Sequence, residues 1–178
     1  MKIFVGCASS NKVEERYIAD CKVLLNKLFS KNHDLVFGVS DQGLMGLSYD
    51  IAKGFNREVI GICPKAYKQD LKKINCDLEI TTETIGDRTN KLIELSDVII
   101  ILPGGIGTVY EFLTTIESKR SGEFDKPILL YNSHGYYDKL LEFLDKLYSE
   151  NFTLREVSNC YHISNDIEDA LDFLSNYC

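Results

Sequence analysis

Short apolar runs alternate with longer segments of helical periodicity from one end of the chain to the other, and no other feature restricts its fold as strongly. Residues 3–7, 34–37, 59–63, 78–82, 98–102, 127–131 and 161–163 read as strands. The stronger of these are apolar throughout rather than at every second position, the pattern of a strand covered on both faces. Between them lie predicted helices at 14–29, 46–53, 84–95, 108–120, 137–148 and 166–176. In the first, Tyr17, Ile18, Cys21, Leu24, Leu25 and Leu28 fall on one stripe. The punctuation agrees: Gly54 stops the second helix, Pro64 closes the third strand, and Asp166 stands where the last helix needs an N-cap. Doubly covered strands alternating with helices predict an α/β fold, a Rossmann-like doubly wound parallel sheet. No linker, repeat or low-complexity segment divides the 178 residues, so 1–178 is expected to be a single domain.

Twenty basic side chains stand against 27 acidic ones, a net charge of -7. A field of that sign repels nucleic acid polymers and anionic membranes, so neither is an expected partner. Any anion that binds must be held by local donors. No apolar run approaches the ~20 residues of a membrane span, and the apolar run in the opening MKIFVGC is too short for a signal peptide. Six cysteines, at 7, 21, 63, 76, 160 and 178, show no CxxC spacing. The expectation is reduced thiols in a cytoplasmic protein.

A doubly wound sheet binds ligands beyond the carboxyl ends of its strands, where loops meet helix N-termini. That directs attention to residues 8–12, 38–46, 64–66 and 103–108. The strongest signal is Pro103-Gly104-Gly105-Ile106-Gly107-Thr108, set between the most hydrophobic strand and a helix. Three glycines in four positions let the backbone turn with its amides exposed. The helix adds unpaired N–H groups and its positive dipole end. Such a turn suits a phosphate without any basic side chain; its plainer reading is a tight βα turn. Glu111 reads either as the acid of a Thr108-x-x-Glu111 capping box or as a carboxylate beside an electron-poor centre or ligand hydroxyls. Arg88, fifteen residues before Pro103, reads as a solvated charge or as a partner for a phosphate or for Glu111. Ser9 and Ser10 follow the first strand as hydroxyl donors or helix-entry residues. Gly43-Leu44-Met45-Gly46 forms a βα turn after the second, with Leu44 and Met45 plugging the core or touching a ligand.

Together, Ser9-Ser10, Gly43-Leu44-Met45-Gly46, Arg88, Pro103-Gly104-Gly105-x-Gly107-Thr108-x-x-Glu111, Lys126-Pro127 and Gly135-Tyr136-Tyr137 resemble the Lonely Guy (LOG) family. Its members were often labelled lysine decarboxylases. The resemblance runs in order from residue 3 to about 147. It implies a Rossmann-fold homodimer that hydrolyses the N-glycosidic bond of adenosine-type 5′-monophosphates, cytokinin ribotides included, to free base and ribose 5-phosphate. It assigns catalysis to Arg88 and Glu111 and the 5′-phosphate to Gly104, Gly105, Gly107 and Thr108. Ser9, Ser10, Gly43 and Met45 are candidates for further substrate contacts. No metal or redox cofactor is required.

The chain departs from the family in three places. Gly38-Val39-Ser40-Asp41-Gln42-Gly43 stands where a glycine cluster is common, Thr89 where a Lys usually follows the Arg, and Val109-Tyr110 where Leu-Glu is usual. These keep a second reading open, a non-catalytic nucleotide-binding or sensing protein. Pyridoxal-phosphate decarboxylation needs a Schiff-base lysine, and no sequence context singles one out.

Overall fold

Strands that are apolar on both faces need two covering layers, and the chain supplies them around seven parallel strands. The computed structural model describes residues 1–71 and 74–177. The strands are β1 (Lys2–Gly6), β2 (Asp34–Phe37), β3 (Val59–Pro64), β4 (Leu78–Thr82), β5 (Val98–Ile101), β6 (Ile128–Tyr131) and β7 (His162–Ser164). The helices are α1 (Glu15–Phe29), α2 (Gly43–Gly54), α3 (Lys68–Leu71), α4 (Ile85–Glu94), α5 (Ile106–Arg120), α6 (Asp138–Ser149) and α7 (Ile167–Ser175). The sheet order is β4-β3-β2-β1-β5-β6-β7, the Rossmann-like doubly wound arrangement that the alternation predicts.

Strand side chains alternate between two cores. Ile3, Val5, Leu35, Phe37, Ile100 and Leu129 pack with α1, α2 and α7 through Leu24, Leu25, Leu44, Ile51 and Leu174. Phe4, Val36, Ile99, Ile101 and Leu130 pack with α4, α5 and α6 through Leu92, Phe112, Ile116 and Leu144. The winding reverses at β1, which pairs with β2 on one edge (Ile3 opposite Leu35) and β5 on the other (Gly6 opposite Ile101).

The differences from the sequence reading have local causes. α2 begins at Gly43, so Gly43-Leu44-Met45-Gly46 is the first turn of a helix rather than the loop before it. α5 begins at Ile106 rather than 108; Ile106 is 88 % exposed and adds nothing to a buried stripe. Residues 65–71 form a 3-10 turn and α3, which no apolar periodicity signals. Further 3-10 turns lie at Ser133–Gly135 and Arg155–Cys160. Asp166 caps α7 as its position predicts, accepting from the Asp169 amide at 2.9 Å. Cys7, Cys21, Cys76 and Cys160 carry free thiols, while Cys178 lies outside the described residues. Burial pushes the Cys76 thiol up to about 11. No described helix is long and apolar enough to cross a membrane.

Candidate active site

Because β1 and β5 are neighbours whose outgoing chains wind to opposite wings, their loops part and leave a crevice. A cavity of about 290 Å³ opens there. Cys7, Ala8 and Ser9 reach it from the end of β1, Met45 from α2 and Arg88 from α4. Gly105, Ile106, Gly107, Thr108 and Glu111 reach it from the start of α5. A larger hollow of about 660 Å³ lies at the far end of α5, beside Phe124 and Leu154, away from the strand ends where this fold binds ligands. Among the described residues, no group of three or more His, Cys, Asp or Glu is arranged to hold a metal ion.

One ion pair dominates the cavity. Arg88 sits in the first turn of α4, which Thr84 and Asp87 close as a reciprocal capping box. Its Nη2 donates to Glu111 Oε1, and the side chains are 16 % and 7 % exposed. The guanidinium lies flat over Gly38, where an added Cβ would sit 3.1 Å from Cζ. Gly6 makes room on the other side, since a Cβ there would meet Glu111 Oε2 at 3.1 Å. Burial raises the Glu111 carboxyl above its ordinary value, and the charge and hydrogen bond of Arg88 pull it part of the way back. Arg88 Nε is buried with no hydrogen-bond partner, an unusual state for so polar an atom.

Glu111 is not the acid of a capping box. The N-cap of α5 is Gly105, with no side-chain cap bond, and Thr108 lies inside the first turn. The cap spacing was coincidental; burial and Arg88 define the residue. The neighbouring thiol of Cys7 is buried and pushed well above its ordinary value, by desolvation first and then by the charges of Cys21 and Glu111. Both effects favour the neutral thiol over the thiolate a nucleophile needs.

The glycines of the turn serve different ends. A Cβ on Gly105 or Gly107 would meet nothing within 4 Å, so both leave open space over the first amides of α5. A Cβ on Gly104 would strike Thr108 Oγ1 at 2.1 Å, so Gly104 lets the turn close against that side chain. Gly104, Ser10 and Gly43 are outside the cavity lining. The Ser10 hydroxyl accepts from the Lys12 amide at 3.1 Å. Gly43, at φ +60, donates its amide to Asn11 Oδ1 at 2.8 Å and lies so close to Ala8 O that a Cβ would be 2.7 Å away. Met45 donates its amide to Ala8 O at 3.1 Å, completing the tie between this loop and α2. The remaining motif residues brace the surroundings. Lys126 Nζ donates to Ile93 O and Glu94 O at the end of α4, and the Tyr136 and Tyr137 hydroxyls donate to Gly104 O and Leu102 O, each at 2.7 Å.

A family model described as a possible lysine decarboxylase matches residues 45–174. Over 168 residues the chain is 38 % identical to the cytokinin riboside 5′-monophosphate phosphoribohydrolase LOG3 of Arabidopsis thaliana, covering 88 % of this chain and 74 % of that one. The chain belongs to the LOG family. It is also 36 % identical over 177 residues to LOG2 of the same plant, covering 99 % of this LOG-family chain and 83 % of the relative. Among solved structures, the Moco carrier protein from Chlamydomonas reinhardtii superposes with a TM-score of 0.72 at 20 % identity, covering 99 % and 96 % of the two chains. The molybdenum cofactor binding protein from Rippkaea orientalis gives 0.72 at 20 %, covering 98 % and 95 %. At that identity these two share the LOG chain's fold, and nothing further is carried over from them.

Proposed function

We propose that this chain is a hydrolase that cleaves the N-glycosidic bond of a purine nucleoside 5′-monophosphate, plain or N6-substituted, releasing free base and ribose 5-phosphate. The observation that carries the reading is a buried carboxylate–guanidinium pair beside the open N-terminus of α5. Water adds at C1′, the C1′–N bond electrons leave with the base, and the base nitrogen takes up a proton. The ribosyl centre passes through an oxocarbenium-like state, which the Glu111 carboxylate stabilises while orienting water. Arg88 holds that carboxylate in place. The amides of Gly105, Gly107 and Thr108, with Gly104 closing the turn, hold the phosphate against the net negative field of the chain. Ser9 and Met45 flank the ligand; Ser10 and Gly43 hold the loops that carry them. The relatives' names, phosphoribohydrolases of cytokinin riboside 5′-monophosphates, support the reaction class. The family model's description names a lysine decarboxylase, but no lysine is among the described residues lining the cavity to form the Schiff base that reaction needs.

In this reading residues 1–178 form one nucleotide-binding domain that works as a cytoplasmic homodimer. Free thiols at Cys7, Cys21, Cys76 and Cys160 accord with a reducing compartment. Ile106, Tyr110 and Leu113 stand exposed one helical turn apart on α5, with exposed Ile85 on α4 nearby. Ile106 also lines the cavity, so the apolar stripe continues from the site, and a second copy covers it. Light scattering on the purified protein is expected to give a dimer, and Leu113→Glu a folded monomer. A wild-type monomer at micromolar concentration would overturn this assembly.

The activity is tested by incubating the protein with AMP, CMP, GMP and N6-prenylated AMP and measuring free base and ribose 5-phosphate. Release from AMP or its N6-prenylated form is expected. Tight binding of these nucleotides with no release would leave the sensing protein as the correct reading.

A further inference from the structure

Three consecutive carbonyls in the turn after β5 are taken by donors from elsewhere in the chain. Leu102 O accepts from the Tyr137 hydroxyl at 2.7 Å, Pro103 O from the Ala8 amide at 3.1 Å, and Gly104 O from the Tyr136 hydroxyl at 2.7 Å. The described peptide bonds are trans, and across a trans peptide the C=O and the following N–H point in opposite directions. Holding Gly104 O on Tyr136 therefore turns the Gly105 N–H the other way, and Gly105 lines the cavity. Holding Pro103 O on Ala8 orients the Gly104 N–H by the same rule.

Two adjacent glycines make a peptide flip at this turn cheap. A flipped Gly104–Gly105 peptide would aim a carbonyl oxygen at a bound anion in place of an N–H. Nothing within the turn prevents this; the restraint comes from the segment after β6. There the Ser133–Gly135 turn, with His134 at φ 51 and Gly135 at φ 69, brings two tyrosines back toward β5. Asn132 Oδ1 accepts from the Tyr137 amide at 2.7 Å, and its Nδ2 donates to Asp138 and Asn165. The Tyr136 ring packs edge-on against Tyr17 and Tyr137, with centroids 5.3 and 4.8 Å away. Tyr136 is nonetheless 41 % exposed.

We propose that Tyr136 is a positioning residue for phosphate binding, its hydroxyl fixing the Gly104–Gly105 peptide plane so that the Gly105 amide rather than the Gly104 carbonyl faces the ligand. The proposal rests on the functional reading above and adds the group that makes its anion site selective.

The test is calorimetric titration of AMP, ribose 5-phosphate and inorganic phosphate into the wild type, Tyr136→Phe and Tyr137→Phe, with melting curves, kcat and KM on AMP. Tyr136→Phe is expected to bind AMP and ribose 5-phosphate about 3- to 10-fold more weakly, with KM raised by the same factor. Its kcat should stay within about twofold and its melting temperature close to wild type, a split that general loosening of the fold would not give. Tyr137→Phe is the control: its hydroxyl holds the Leu102–Pro103 peptide, which has no N–H to offer, so AMP affinity should stay within about twofold of wild type while loss of a buried hydrogen bond lowers the melting temperature. Unchanged AMP affinity in Tyr136→Phe overturns its role, as does a fall in kcat at constant KM or an equal affinity loss in Tyr137→Phe. A wild-type protein that binds none of the three probes overturns the phosphate site and the functional reading together.

Discussion

Glu111→Gln is expected to cut base release from AMP by about 10²–10³-fold, the scale on which a single preorganised electrostatic group acts in a dry site. Gln keeps the shape of the side chain, and its amide oxygen still accepts from Arg88, so AMP should bind within about threefold of wild type. What disappears is the negative charge that faces the developing cation at C1′. Single-turnover release measured beside calorimetric binding separates these terms. Full activity in Glu111→Gln would show that the stabilising carboxylate had been misassigned.

Arg88→Met is expected to be as damaging at neutral pH, and its defect should depend on pH. Burial already lifts the Glu111 carboxyl above the ordinary value of 4.5, and Arg88 supplies the opposing pull. Without the guanidinium the carboxyl rises further, so at pH 7 more of the protein holds Glu111 protonated and unable to stabilise a cation. The acid limb of the kcat profile should move to higher pH, and activity should partly recover as pH rises. An unshifted limb would show that Arg88 does not act through Glu111.

Stability runs the opposite way. A carboxyl whose folded value is raised keeps its proton in the fold after the unfolded chain has released it. Its contribution is therefore lost as pH climbs from the unfolded value through the folded one. Arg88→Met should widen that window upward and, above it, once Glu111 is ionised without a partner, lower stability by about 3–5 kcal/mol. Glu111→Gln should remove this dependence.

The layers of the fold were legible because they rest on local pattern. Ile3, Phe4 and Val5 announce a strand covered on both faces, and Pro103-Gly104-Gly105 announces the turn after β5, from neighbours alone. The start of α2 was not, because Gly43 carries no apolar signal, and its φ of +60 and close approach to Ala8 and Ser10, which leaves no room for a Cβ, appear only in the fold. The meaning of Glu111 was hidden for a related reason: its spacing from Thr108 fits a cap as well as it fits a buried charge. The N-cap at Gly105 and the contact with Arg88, 23 residues away, distinguish the two. Gly6 looks like a flaw in an apolar strand until the carboxylate beside it is seen, and Gly38 like an ordinary strand end until the guanidinium lies over it.

By itself, then, the sequence determined the α/β sheet, the glycine turn and the helix N-terminus that follows it, since each depends on residues adjacent in the chain. The family motifs add Arg88 and Glu111 as types at positions. Tertiary structure alone decided that those two are one buried pair and that Gly104 O and Leu102 O are held by Tyr136 and Tyr137. The reason is distance along the chain: the tyrosines lie 32 and 35 residues from the carbonyls they hold. A desolvated ion pair and a restrained peptide plane come into being only when the sheet brings such distant segments to the same strand ends.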